Sequence, residues 1–308
     1  MRAYYPRHLS IETSDWCNRG CAWCPIQRDH PGHRPRLLDF AVYSKLLDEL
    51  RDAPHPLKVT LQWIDEPLSN PRFLDYARLL RERVPEATLL LQTNGDFLTP
   101  PLLASLRATF DAITVNLYAP KTHQRLISLG LAPAQPADRS LRKPGRLPVR
   151  SGPDGATLHF NEKYRSDEWV EHHDQRGPGA RCDRLWVQAA IGFDGAVHVC
   201  CRDNLKQHPV GSLTTHSLFE AYNSPTARAL RALMTNRERH AIAMCVTCPM
   251  SFREKVPPLS ASALERLKGH VRDSSALEVM DEALAAPSGT FVADDAPELR
   301  AQQAVRGR

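Results

Sequence analysis

The chain has 308 residues, 42% hydrophobic and 24% charged, with a formal net charge of +5. This suits a medium domain plus a smaller one and excludes a membrane span, because no apolar run approaches the ~18 residues a span needs. The basic residues are scattered among Asp and Glu, so no nucleic-acid groove is expected. A mildly basic surface can still receive an acidic electron-donor protein. The first residues, Met1 to Pro6, lack an apolar signal core, so a cytoplasmic location is expected. Reducing conditions there keep thiols free, and clustered cysteines then mean metal or catalysis.

The first predicted strand runs from His8 to Thr13 and leads into Cys17, Cys21 and Cys24, spaced C-x3-C-x2-C. Three thiolates on one short loop suit three corners of a [4Fe–4S] cube, whose soft irons prefer sulfur. The fourth iron is then open to another ligand. A helix is predicted over 37–52 from Leu38, Val42, Leu46, Leu47 and Leu50 at helical spacing. A strand is predicted over 57–64, ended by Asp65-Glu66-Pro67. Asn70 caps a predicted helix over 71–84. A strand over 87–92 ends in the turn Thr93-Asn94-Gly95-Asp96, a helix opens at Thr99-Pro100, and a strand covers 112–118 before a helix over 121–128. Residues 132–155 break this rhythm, and one more strand is expected at 156–161.

Alternating strands and helices predict an α/β fold, a parallel sheet curled into a partial (β/α) barrel. About five strands are countable in it. Chemistry in such barrels sits at the C-terminal strand ends, which singles out Glu66, Thr93, Asn94 and Asn116.

After residue 178 come Cys182, Cys200, Cys245 and Cys248, spaced C-x17-C-x44-C-x2-C, with Cys201 left over. Residues 185–199 read as two strands around Gly192-Phe193-Asp194-Gly195. A turn at 211–213 and one amphipathic helix over 217–233 follow. Helices are expected over 257–273 and 275–285, and disorder from 286 onward. Four cysteines including a C-x2-C pair also suit structural zinc, so a zinc-stabilised binding protein without catalysis is the alternative from a different class.

The first loop, with Trp23 just before its third cysteine, resembles the signature of radical S-adenosylmethionine (SAM) enzymes. Glu66-Pro67-Leu68, Thr93-Asn94-Gly95 and Asn116 resemble that family's SAM-binding positions, although Ile64-Asp65 stands where two glycines are usual. The later cysteines, with Gly195 and Cys200 in a G-x4-C pattern, resemble the Twitch unit, a shortened SPASM extension that holds an auxiliary [4Fe–4S] cluster. The resemblance implies a radical SAM core at 1–178 with an abbreviated barrel, a β-hairpin-plus-helix Twitch domain at 179–255, and C-terminal helices and tail at 256–308. It implies SAM and two [4Fe–4S] clusters as cofactors, held by Cys17, Cys21, Cys24 and by Cys182, Cys200, Cys245, Cys248. Trp23, Glu66, Thr93, Asn94 and Asn116 would bind SAM, and a flavodoxin- or ferredoxin-type donor would supply electrons.

The cysteine spacing is also similar to that of family members that oxidise a ring hydroxyl. That implies an oxidoreductase whose 5′-deoxyadenosyl radical takes hydrogen from a small carbohydrate or aminocyclitol, giving a ketone, with the auxiliary cluster accepting an electron. The implied setting is antibiotic biosynthesis of the aminoglycoside type. Arg165 is the expected substrate contact, with His159, Glu162 and Asp183 as further candidates. Two alternatives remain: a sugar epimerase with Cys201 as hydrogen donor, and a peptide-modifying enzyme, the latter disfavoured because no separate peptide-binding domain is visible.

Overall fold

In the computed structural model the described residues are 3–21, 24, 35–132, 157–162, 181–246, 248, 251–254 and 256–273. Among them is one eight-stranded sheet in the order β5-β4-β3-β2-β1-β6-β7-β8. Its strands are β1 His8–Ile11, β2 Lys58–Thr60, β3 Thr88–Thr93, β4 Ala112–Leu117, β5 Thr157–Glu162, β6 Gln188–Ile191, β7 Ala196–His198 and β8 Pro209–Ser212. β1 to β5 are mutually parallel in chain order, so the core has the five strands expected. β6 joins the other side of β1, also parallel, with His8 opposite Gln188 and Ile11 opposite Ile191. β7 and β8 then return as an antiparallel pair.

The crossover helices are α1 Phe40–Arg51, α2 Phe73–Arg83, α3 Pro100–Thr109 and α4 Pro120–Ser128. Each buries one stripe, as an amphipathic helix over a sheet must; on α1 that stripe is Tyr43, Leu46, Leu47 and Leu50. Asp39 starts α1 by accepting from Ala41 N and Val42 N at 2.8 and 3.0 Å. The parallel strands pack one apolar face, with Leu9, Val59, Leu89, Leu91, Ile113 and Val115, into the core, and their other face brings Ser10, Thr60, Gln92 and Asn116 to a cavity.

Several elements differ from the sequence expectation, each for a local reason. The strand expected over 57–64 keeps only Lys58–Thr60 in the ladder, and Leu61 to Asp65 leave it. The helix expected from Pro71 starts at Phe73, because Glu66 caps a 3-10 turn at Pro67–Ser69 and Asn70 accepts from Arg72 N. Residues 209–212 form a strand where a turn was expected. The single helix expected over 217–233 is two, α6 Leu218–Tyr222 and α7 Pro225–Thr235, following the short α5 Arg184–Val187. Pro225 disfavours helical backbone in Ser224, which instead caps α7 through Ala227 N. After the one-turn α8 Ala243–Val246, the helix expected over 257–273 narrows to α9 Ala261–Leu267 plus a 3-10 turn at Lys268–His270. The helix expected over 275–285 and the tail from 286 lie outside the described residues.

α6 is tied to the barrel by Glu49 of α1, whose buried carboxylate accepts from Leu218 N and Phe219 N at 2.7 and 2.8 Å. Burial pushes the Glu49 pKa up to about 7, against the opposing pull of these two N–H groups. The folded state therefore holds a proton that the unfolded chain releases near 4.5. The stability so contributed is complete below that value and is lost as pH rises through about 7. Glu49→Gln should lower stability by about 1–3 kcal/mol, because its amide nitrogen faces backbone donors. It should also flatten the fall in melting temperature across this pH window, measured by anaerobic thermal unfolding.

Candidate active site

The inner ends of the strands surround a cavity of about 420 Å³. One end is made by the loop after β1, with Cys17, Cys21 and Cys24, all free and half-buried. Glu66, Thr93, Asn94 and Asn116 line the same cavity, so the structure brings these sequence-predicted residues together. Trp23 lies outside the described residues.

A continuous hydrogen-bond chain holds this end. Thr93 Oγ1 donates to Glu66 Oε1 at 2.6 Å, Leu68 N donates to the same oxygen at 3.1 Å, and Asn94 N donates to Glu66 Oε2 at 2.6 Å. Burial pushes the Glu66 pKa up to about 7, against the lowering effect of the Asn94, Thr93 and Leu68 donors. Asn94 Nδ2 donates to Asn18 Oδ1, and Arg19 grips Asp96 with two 2.6 Å bonds in a fork-to-fork pair. Asn18 Nδ2 and Thr122 Oγ1 add two more donors to Asp96. Burial raises the Asp96 pKa, but these donors outweigh it and hold the carboxyl below its usual value.

Gly95 closes the turn at φ +79°, and a Cβ there would stand 2.7 Å from Val115 Cγ1, so any other residue would be strained and would displace the Val115 side chain. Burial pushes the Cys17 thiol up to about 12, with Glu66 adding to the rise and the Arg19 N–H opposing it. Softness of donor and convergence on one cavity fit three-thiol ligation of a cubane, which deprotonates the thiols on binding.

The rest of the lining includes Cys201 after β7, singled out from the sequence, and residues that the sequence reading did not select: Gln62, Trp63 and Asp65 after β2, and Arg202 and Asn204 after β7. The first set faces inward because the chain leaves the β2 ladder. The second does so because a buried His198–Asp203 pair at 2.7 Å folds the 200–208 loop back, with Asp203 also accepting from Gln207 N and His208 N. Trp63 Nε1 donates to Cys201 O at 2.8 Å and joins the two sets. The one local signal available was Asp65 standing in a glycine position.

Cys182, Cys200, Cys245 and Cys248 are free and buried. Phe252 N points at Cys182 Sγ at 3.4 Å and Arg202 N at Cys200 Sγ at 3.5 Å, and such N–H···S contacts suit thiolate ligands. Arg239 holds the Cys245–Cys248 turn through both backbone carbonyls. Burial pushes the Cys245 pKa up to about 12, with Cys248 adding to it. Among the described residues, no three His, Cys, Asp or Glu side chains are grouped to hold a single metal ion.

With Cys200 as a thiol, its hydrogen bond draws the Cys201 pKa down to about 6; burial opposes this and Arg184 assists. Ligation of Cys200 removes that donor. Asp183 does not reach the cavity; it accepts from Arg181 Nε and Glu254 N instead. His159 is exposed on β5, while Arg165 lies outside the described residues, as does the side chain of Glu162.

Residues 11–141 match the radical SAM superfamily and residues 182–249 the SPASM iron–sulfur cluster-binding domain. The chain therefore carries a radical SAM domain and a SPASM domain, and its cofactors are SAM and iron–sulfur clusters, two [4Fe–4S] clusters fitting this pairing. It is similar to the S-adenosyl-L-methionine-dependent 2-deoxy-scyllo-inosamine dehydrogenase of Niallia circulans, at 29% identity over 32% of this chain and 39% of that protein. It is also similar to the tungsten-containing aldehyde ferredoxin oxidoreductase cofactor-modifying protein of Pyrococcus furiosus, at 28% identity over 40% of this chain and 34% of that protein. These alignments span well under half of either relative. The fold matches the crystal structure of BtrN in complex with AdoMet and 2-DOIA, with TM-score 0.64 and 18% identity over 83% of this chain and 98% of that one. No helix of the described residues is long and apolar enough to cross a membrane.

The Asp96 clamp gives a direct test of loop order. Asp96→Asn removes charge from four contacts, and an expected cost of about 1–3 kcal/mol should speed hydrogen exchange of the 17–21 amides about ten-fold or more. The clamp's contribution is present above the ordinary Asp range and is lost as pH falls through it.

Proposed function

We propose that the chain is a radical SAM oxidoreductase that oxidises a secondary hydroxyl of a small carbohydrate or aminocyclitol to a ketone. One observation carries this reading. The cavity that holds Cys17, Cys21 and Cys24 also reaches Cys201, next to Cys200, so radical initiation and electron removal would act on one enclosed substrate. The similarity to a 2-deoxy-scyllo-inosamine dehydrogenase supports the substrate class and a setting in aminoglycoside-type antibiotic biosynthesis.

In this reading Cys17, Cys21 and Cys24 hold the first cluster, and Cys182, Cys200, Cys245 and Cys248 hold the second. Glu66, Thr93, Asn94 and Asn116, with Trp23, bind SAM. Residues 1–178 form the core domain, 179–255 the auxiliary-cluster domain, and 256–308 the C-terminal part. When bound, the cofactors supply a 5′-deoxyadenosyl radical that takes hydrogen from an unactivated C–H, and an acceptor for the second electron. The protein's residues do the rest.

Glu66 accepts the SAM ammonium in a dry pocket where a charge-assisted bond is strong. The Arg19–Asp96 clamp keeps the cysteine loop against the end of β3. Alcohol oxidation removes one hydrogen atom, one proton and one electron, and Arg165 contacts the substrate that loses them. A flavodoxin- or ferredoxin-type protein supplies the initiating electron.

A second reading is favoured by one specific observation: Cys201 lines the cavity, where its thiol can return a hydrogen atom to the substrate radical and make the enzyme an epimerase.

Anaerobically reconstituted protein should be brown and carry about eight irons, and the Cys17→Ala, Cys21→Ala, Cys24→Ala triple variant about four. Colourless protein with bound zinc overturns the reading. Cys201→Ala separates oxidation from epimerisation. An oxidase should keep most of its ketone formation, whereas an epimerase should stall or release ketone, as read by mass spectrometry alongside 5′-deoxyadenosine.

A further inference from the structure

Two adjacent carboxylates, Asp65 and Glu66, leave the end of β2 and turn to different walls of the cavity. Glu66 is bonded to the β3 side, through Thr93 and Asn94. Asp65 is turned toward β1 and the auxiliary unit. Its Oδ1 accepts from Trp63 N at 3.2 Å, and Trp63 in turn donates to Cys201 O. The charge that acts on it most strongly is that of Glu12, just after β1. Glu12 already has a cation, since Lys206 Nζ lies 2.5 Å from its Oε2, where Phe193 N also donates.

Asp65 Oδ2 is buried and has no hydrogen-bond partner among the described residues, in a side chain only 5% exposed. Arg202 lines the same cavity, and its Nε is likewise buried and partnerless among the described residues. The two groups therefore do not satisfy one another. A buried carboxyl oxygen and a buried guanidinium N–H, left unpaired among the described residues on two side chains that line one cavity, are complementary to the polar groups of a ligand.

Resting on the radical SAM reading above, the geometry points to Asp65 and Arg202 as a two-point substrate anchor that selects a small ring bearing a cationic amine beside hydroxyl groups. Asp65 Oδ2 accepts from the ammonium, and Arg202 Nε donates to a hydroxyl oxygen. Burial, and then the charge of Glu12, push the Asp65 pKa well up. A ligand cation supplies the positive charge that the protein leaves missing there. The SAM ammonium is served separately by Glu66 on the other wall, so the amine recognised by Asp65 belongs to the substrate.

The test uses the reconstituted holoenzyme saturated with SAM and isothermal titration with two probes, 2-deoxy-scyllo-inosamine and amine-free scyllo-inositol. Wild-type protein should prefer the amine-bearing probe by about ten-fold or more. Asp65→Asn should bring the two probes to within about two-fold, and should weaken the aminocyclitol far more than it weakens SAM. Arg202→Gln should weaken both probes to a similar extent. The iron content of each variant checks its folding, and if Asp65→Asn fails to load its clusters, Arg202→Gln carries the test.

No amine preference in wild type overturns the inference, as does a preference retained in Asp65→Asn or probe binding untouched by Arg202→Gln. Equal loss of SAM and aminocyclitol binding in Asp65→Asn also overturns it, by assigning Asp65 to SAM. Failure of the wild-type holoenzyme to form 5′-deoxyadenosine with dithionite is a different result, and overturns the radical SAM reading itself.

Discussion

The parallel pairing of β1 with β6, followed by the antiparallel return of β7, is the constraint on which the site depends. β1 delivers the Cys17–Cys24 loop to the C-terminal ends of the parallel strands. β6 starts in register with it, but β7 runs back, with His198 opposite Ala190, so Cys200 and Cys201 return toward the N-terminal end of the same strand pair. The return of β7 thus leaves Cys201 lining the cavity that also holds Cys17, Cys21 and Cys24.

Holding such a polar interior has an electrostatic cost, and the structure meets it in two ways. Around the Cys17–Cys24 loop the carboxylates are saturated with donors: Glu66 takes three and Asp96 four. This makes the cysteine loop part of a rigid network that joins β1, β3 and α4. At the auxiliary end the charges are only partly matched. Lys206 neutralises Glu12 and lies over the Trp63 and Phe193 rings, while Asp65 and Arg202 keep atoms without partners among the described residues. In the proposed reading the saturated groups position the cofactor and the unsaturated ones are kept for a ligand, which is why their uncompensated burial is tolerated.

Trp63 connects the two regimes. Its indole N–H holds the Cys201 carbonyl, and its ring lies 5.0 Å from that of His198, itself paired with Asp203. The wall next to Cys200 is therefore braced against β2 of the core, and the auxiliary unit packs as a continuation of the core sheet. Glu49 adds a second brace on the outside by capping α6 from α1.

Much of this was readable from short-range pattern. Cysteine spacing is set by the cofactor, and Glu66, Thr93, Asn94 and Asn116 fall at strand ends that alternation alone locates. The parallel core and its five strands followed from the same rhythm. What pattern could not supply was direction away from the ladders. Gln62, Trp63 and Asp65 look like the end of a strand by composition, and Arg202 and Asn204 like an ordinary loop. They become a cavity wall only because β2 stops at Thr60 and because the His198–Asp203 pair folds the following loop inward. Similarly, residues 217–233 carry helical periodicity throughout, yet Pro225 divides them and Ser224 caps the second piece. The sequence by itself determined which cofactors the chain binds and the alternation of strands and helices in its core, since ligand chemistry and periodicity are local. Tertiary structure alone decided which side chains line the cavity, because that depends on long-range pairing between β1 and β6 that no neighbouring residue encodes.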